Sequence, residues 1–154
     1  MLKIAVAAMK YETEHFGQLD INTDGIIHFP DGIIGFPDQR HWVLLAEEQD
    51  DAVGWLQSLT DPSLALSVIT PHRYVPQYVL RVDRREFTCL PWSHDDASII
   101  LAVVSQHDSQ LTANLKAPII INLERGFGRQ IIVADDQPLQ YVLSANLTQV
   151  RKSA

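Results

Sequence analysis

The chain reads as mainly β: a small antiparallel single domain with at most one or two short helices. Three observations predict this. Residues 111–117 alternate, with Leu111, Ala113, Leu115 and Ala117 on one side and Thr112, Asn114 and Lys116 on the other. That period of two belongs to a half-buried strand. Pro118 then interrupts the run, because proline cannot donate to a ladder and holds Ala117 extended. Ile119, Ile120 and Ile121 continue it, apolar on both faces as in a strand covered on both sides. Finally, Gly126 and Gly128 lead into Gln130, Ile131, Ile132 and Val133, read as a returning antiparallel partner.

Taken in order, residues 9–22 predict two short strands turning at Gly17, and residues 25–29 a third. Residues 29–38 follow as Phe-Pro-Asp-Gly-Ile-Ile-Gly-Phe-Pro-Asp. Proline presets φ there and glycine tolerates positive φ, so the stretch is a bend. Either its apolar side chains plug the core, or the rigid loop presents them to a partner. Residues 42–45 and 55–59 are apolar runs joined by an acidic loop at 47–51, read as a solvated hairpin connection.

Asp61-Pro62-Ser63 has the chemistry of a helix start. Leu64, Leu66 and Val68 alternate with Ala65, Ser67 and Ile69, however, and the strand reading is taken. Residues 70–82, with Pro71, Tyr74, Pro76 and Tyr78, predict an extended, irregular segment. Arg81, Arg84 and Arg85 interleave with Asp83 and Glu86 as a salt-bridged surface. Residues 87–90 read as a short helix or turn, 92–96 as a polar loop and 98–105 as the central strand. The folded core is expected over about 9–143, with 1–8 and 144–154 as flexible extensions.

Composition narrows the functional classes. The 154 residues suit one domain, long enough to bury about 70% of the unfolded surface. The single cysteine, Cys89, excludes an internal disulfide and reads as a small buried residue. Twelve basic and nineteen acidic residues give a net charge of −7. That balance disfavours direct nucleic-acid or anionic-membrane binding, including an oligonucleotide-binding barrel. The apolar runs are too short for a signal-peptide core or a membrane span, so a cytoplasmic location is expected.

Catalytic motifs are scarce. The six histidines are scattered without metal-ligand spacing, and no cofactor is expected. His94-Asp95 and His107-Asp108 are the pairs on which a small β-barrel hydrolase or isomerase could be built, although both sit in turn-like polar segments. The two glycines at 126 and 128 lie between strands, which is hairpin chemistry rather than a dinucleotide fingerprint.

Four stretches taken in order point further: residues 29–36, Trp55-Leu56-Gln57-Ser58, Asp61-Pro62, and Leu-Thr-Ala-Asn-Leu-Lys-Ala-Pro-Ile-Ile-Ile-Asn over 111–122. Together they resemble the bacterial flagellar assembly factor FliW family over about residues 11–133. The resemblance implies a non-catalytic β-barrel-like binding protein, a cytoplasmic chaperone held near the C-terminal segment of flagellin. It also implies binding to the translational regulator CsrA, so that flagellin and CsrA compete and translation follows secretion. For partner contact the expected side chains are Phe29, Ile33, Ile34, Phe36, Tyr74 and Tyr78, with Asn114 and Lys116 as polar contacts.

Overall fold

The computed structural model describes residues 8–46, 49, 52–87, 90–93 and 95–143. Cys89, His94, most of the acidic loop, part of the predicted 87–90 turn and nearly all of both expected extensions lie outside the described residues. Among the described residues eleven strands follow in chain order: β1 Met9–Thr13, β2 Gly17–Ile21, β3 Ile27–His28, β4 His41–Ala46, β5 Val53–Ser58, β6 Ala65–Ile69, β7 Ser98–His107, β8 Gln110–Ala113, β9 Ile119–Asn122, β10 Phe127–Gln130 and β11 Tyr141–Val142. The only helices among the described residues are 3-10 turns at Thr23–Gly25, Pro71–Arg73 and Arg84–Phe87.

Strands β4, β5, β6 and β7 form an antiparallel meander. β7 also pairs with β9, β9 with β10, and β10 with β3, which returns to β4. The circuit closes into a seven-stranded barrel, as the family resemblance implied. Its interior holds Phe29, Trp42, Leu56, Val68, Ile119 and Ile121, all without solvent exposure. The β6 alternation decides its own case: the strand forms, and Asp61 instead closes a turn, accepting from Ser63 N and Oγ.

A second apolar cluster covers the outer face of β5–β8 with Val75, Tyr78 and Leu143. A third joins Ile120, Ile131 and Val133 to Leu80, Val82, Phe87 and Trp92. Residues 70–87 and 90–92 therefore form a cover laid over the barrel wall. The β1–β2 hairpin pairs only with itself and lies over β5 through Phe16 and Trp55, whose rings meet at 5.7 Å.

Three sequence expectations need correction. The strand begun at Leu111 leaves the ladder after Ala113, because five residues, 114–118, stand opposite only Ala102 and Val103 of β7. Burial still alternates, with Leu115 and Ala117 inside and Asn114 and Lys116 half-exposed. The return strand starts at Phe127, three residues before the expected Gln130. Asn122 Oδ1 accepts from Glu124 N and Arg125 N, and Gly126 adopts φ 71°, so the turn is complete at residue 126. Lastly, β11 was not expected in so polar a stretch; it pairs with β8 at Ala113 and Thr112.

Asp96 ties this turn to the start of β7. It accepts from Asn122 Nδ2, Ser93 N and Arg125 Nε, which hold its carboxyl far below the usual carboxylate range.

The narrowest part of the barrel wall is β3, only two residues long and joined to β10 by the one parallel pairing among the described strands. There His28 faces His41 across the β3–β4 ladder, ring centroids 5.0 Å apart. Burial, then His41 and Arg40, lower the His28 pKa below its ordinary value. An unfolded chain binds a proton at His28 more readily than the folded one, so acidification favours unfolding. Between about pH 8 and pH 5.5 the melting temperature is expected to fall more steeply for the native protein than for His28→Gln. Parallel pH–melting curves would remove His28 from this role.

Candidate functional site

The barrel has two mouths. Strand β7 runs from one to the other: Ile99 and Leu101 line the first, Val103 and Ser105 the second. The second mouth is built by the 29–38 bend. Phe29 N donates to Arg40 O, Gly32 N to Phe29 O, and Ile33 and Phe36 exchange backbone hydrogen bonds across a tight bridge. Gly32 and Gly35 take φ of 67° and 90°, the left-handed backbone that glycine adopts without strain. The loop is anchored to the barrel wall where Gln130 Oε1 accepts from Ile34 N at 2.8 Å while Gln130 Nε2 donates to Ala117 O. Arg129, from the same strand, reaches Asp31 of the loop and Glu86 of the covering segment.

The opposite wall of the mouth is the 114–118 bulge, whose backbone is satisfied by long-range partners and by the side chain of Asn114. Asn114 N donates to Val103 O, and Asn114 Oδ1 accepts from Lys116 N and Ala117 N at 3.1 and 3.0 Å. Leu115 N donates to Pro138 O, and Leu115 O accepts from the Tyr78 hydroxyl at 2.8 Å. Val133 N and Ile131 N donate to Lys116 O and Pro118 O, while Lys116 Nζ donates to Asp135 O. The distinctive Thr-Ala-Asn-Leu-Lys-Ala-Pro stretch is thus a junction where five segments meet.

Between these walls lies a groove of about 250 Å³. Ile33, Ile34, Phe36 and Asn114 of the expected contact set converge on it, together with Leu66, Val103 and Leu139. Ser105, His107, Thr112, Gln130 and Gln140 supply its polar rim, and no Asp, Glu, Lys or Arg among the described residues lines it. Ile34 and Leu139 are 56% and 64% exposed at the edge. Exposed aliphatic side chains beside uncharged hydrogen-bonding groups suit an apolar protein segment better than a polar metabolite.

The remaining expected contacts are placed elsewhere. Phe29, fully buried, is a barrel-core residue and offers no surface; its ring stands edge-on to Trp42 at 6.4 Å. Ile33 is 3% exposed and forms the floor of the groove rather than its edge. Tyr78 is buried in the outer cluster, where burial raises its pKa, and Tyr74 packs beside it. Lys116 is occupied by Asp135. Of the groove residues missed from sequence, Leu139 and Gln140 sit in a polar run that carries no periodic signal; the lone leucine was the available clue.

The proposed catalytic pair at 107–108 is not set up as a dyad: His107 Nε2 lies 3.3 Å from Gln140, and Asp108 occupies the turn at φ 48°. His94 lies outside the described residues. Among the described residues no three His, Cys, Asp or Glu side chains gather where they could hold a metal ion.

Comparison with known proteins is consistent with this picture. The family model described as FliW protein matches residues 10–143. The flagellar assembly factor FliW of Bdellovibrio bacteriovorus is 32% identical over 130 residues, covering 83% of this chain and 74% of the relative. That of Caldanaerobacter subterraneus subsp. tengcongensis is 34% identical over 134 residues, covering 85% and 89%. A crystal structure of the flagellar assembly factor FliW superimposes with a TM-score of 0.81 at 28% identity, over 90% of this chain and 99% of that one.

Proposed function

This chain belongs to the FliW family, and on that premise we propose that it is a non-catalytic flagellar assembly factor working in the cytoplasm. It holds flagellin near the C-terminal segment and binds the translational regulator CsrA by protein–protein contact. Flagellin and CsrA compete for it, so flagellin leaving by secretion frees the factor to relieve CsrA repression. The observation that carries the flagellin half is the uncharged groove edged by Ile34 and Leu139 on a protein of net charge −7. An apolar segment laid in such a groove buries its side chains and meets hydrogen-bonding groups at the rim.

The CsrA half draws on charge. An acidic protein docked beside an RNA-binding surface repels the RNA backbone without occupying the RNA site. Raising salt through the physiological range then weakens the antagonism. Antagonism unchanged by salt would remove the electrostatic part.

Calorimetric titration with the organism's own flagellin, full length and lacking its C-terminal segment, tests the client. Binding is expected to disappear with the truncation. Ile34→Asp with Leu139→Asp is expected to weaken it by at least about tenfold. Leu123→Asp, an exposed apolar position in the β9–β10 turn, serves as the control that leaves it unchanged. Full affinity in the double variant would move the client off the groove.

A further inference from the structure

Strand β3 meets β4 through two residue pairs, Ile27 with Trp42 and His28 with His41. Ile27 and Trp42 are buried in the barrel, so His28 and His41, next along each strand, point outward. The hydrogen bonds fix the kind of pair. Phe29 N donates to Arg40 O, while His28 N turns away to Gly126 O and His41 O accepts from Leu59 N. His28 and His41 thus form a non-hydrogen-bonded pair, in which Cα atoms approach to about 4.5 Å and side chains stand closest.

The rings reflect that closeness. Their centroids are 5.0 Å apart and their planes are inclined by 44°. His28 is half-buried, and Phe127 of β10 stands edge-on to it at 6.0 Å, which restricts its rotation. His41 is exposed, so the pair opens to solvent. Neither imidazole makes a hydrogen bond or an ion pair among the described residues.

An imidazole nitrogen binds zinc at about 2.0–2.1 Å, which puts the ring centre about 3.2 Å from the ion. Two such rings with centres 5.0 Å apart subtend about 103° at the ion, close to the tetrahedral angle of about 109°. Square-planar ligation, at about 90°, needs ring centres only about 4.5 Å apart. Imidazole nitrogen suits zinc, whereas Mg²⁺ and Ca²⁺ take oxygen ligands. Arg40, whose charge acts on His28, opposes a cation there, and the two nitrogens together have to outweigh it.

We infer that His28 and His41 together bind one Zn²⁺, with a nitrogen of each ring on the ion and water in the other two positions. The ion clamps β3 to β4 at the narrowest part of the barrel wall. Neither residue lines the Ile34–Leu139 groove, and the test does not depend on the flagellar reading.

The experiment is titration of the full chain, stripped with chelator and dialysed, with zinc chloride, followed by imidazole NMR and by melting. One equivalent is expected to move the His28 and His41 resonances. The melting temperature is expected to rise as zinc saturates, because the ion binds the folded pair and not the unfolded chain. His28→Gln and His41→Gln are each expected to weaken zinc by at least about tenfold and to remove that rise. His41→Gln changes an exposed side chain and keeps the test decisive if His28→Gln disturbs the two-residue strand. Millimolar Mg²⁺ is expected to leave the zinc in place. Undiminished affinity in His41→Gln, shifts confined to other histidines, or displacement by Mg²⁺ would overturn the inference.

Discussion

Asn114→Ala is expected to cost about 2–4 kcal/mol of folding stability, measured by denaturant melts. The side chain sits where five residues of one strand oppose two of its neighbour, and its Oδ1 accepts from both Lys116 N and Ala117 N. A single hydrogen bond contributes only about 1 kcal/mol net, but each buried donor left without an acceptor costs about 1–3 kcal/mol. Two donors lose their acceptor together here, in a loop whose other backbone groups are already committed. Asn114→Asp keeps the oxygen that accepts both hydrogen bonds and is expected to lose much less. If alanine were as stable as the native residue, the bulge would be held by its long-range partners alone. Because the bulge is also a wall of the groove, partner affinity should fall with alanine and recover with aspartate.

The second large effect is expected at the contact between Phe29 and Gly128. Phe29 is fully buried in the barrel, and its ring lies so close over Gly128 that a Cβ there would overlap Cζ, Cε1 and Cε2. Phe29→Ala is expected to cost about 3–5 kcal/mol, the loss of a buried aromatic plus the cavity left behind. Gly128→Ala is expected to cost about 1–3 kcal/mol by overpacking, since the ring is enclosed by Trp42 and has little freedom to retreat. Phe29→Leu together with Gly128→Ala should then be less damaging than the separate losses of Phe29→Leu and Gly128→Ala added, because the smaller side chain makes way for the new methyl. Strict additivity would mean that the two residues do not share this contact.

Both predictions concern residues that stood out in the sequence, and each shows how far that signal reached. Phe29 and Asn114 were prominent because the stretches around them are distinctive. The sequence did not separate a distinctive residue that meets a partner from one that meets its own barrel. Phe29 and Ile34 belong to the same ten-residue bend, yet one has no exposed surface and the other is 56% exposed. Positive φ at Gly32 turns the backbone between them, and local composition carries no record of which side faces inward. Tyr78 is similar: nothing near it in sequence indicates that its hydroxyl caps Leu115, 37 residues away.

The strands fared according to how local their signals were. β6 formed as its alternation required, overriding the Asp-Pro helix-start chemistry. β10 and β11 were misplaced or missed, because their positions are fixed by partners: Asn122 closing the turn before β10, and β8 offering an edge to a polar segment.

By itself the sequence determined the β class, the strands of the meander, the bend at 29–38 and the family. These rest on side-chain periodicity, turn chemistry and motif order, which are properties of neighbours along the chain. Only the tertiary structure decided that the sheet closes through two-residue β3, that the Asn114 stretch is a junction, and that Ile34 meets Leu139 across a groove. Closure, burial and convergence depend on pairing between residues far apart in the chain. The free energy of such contacts belongs to pairs of segments, and no single stretch encodes it.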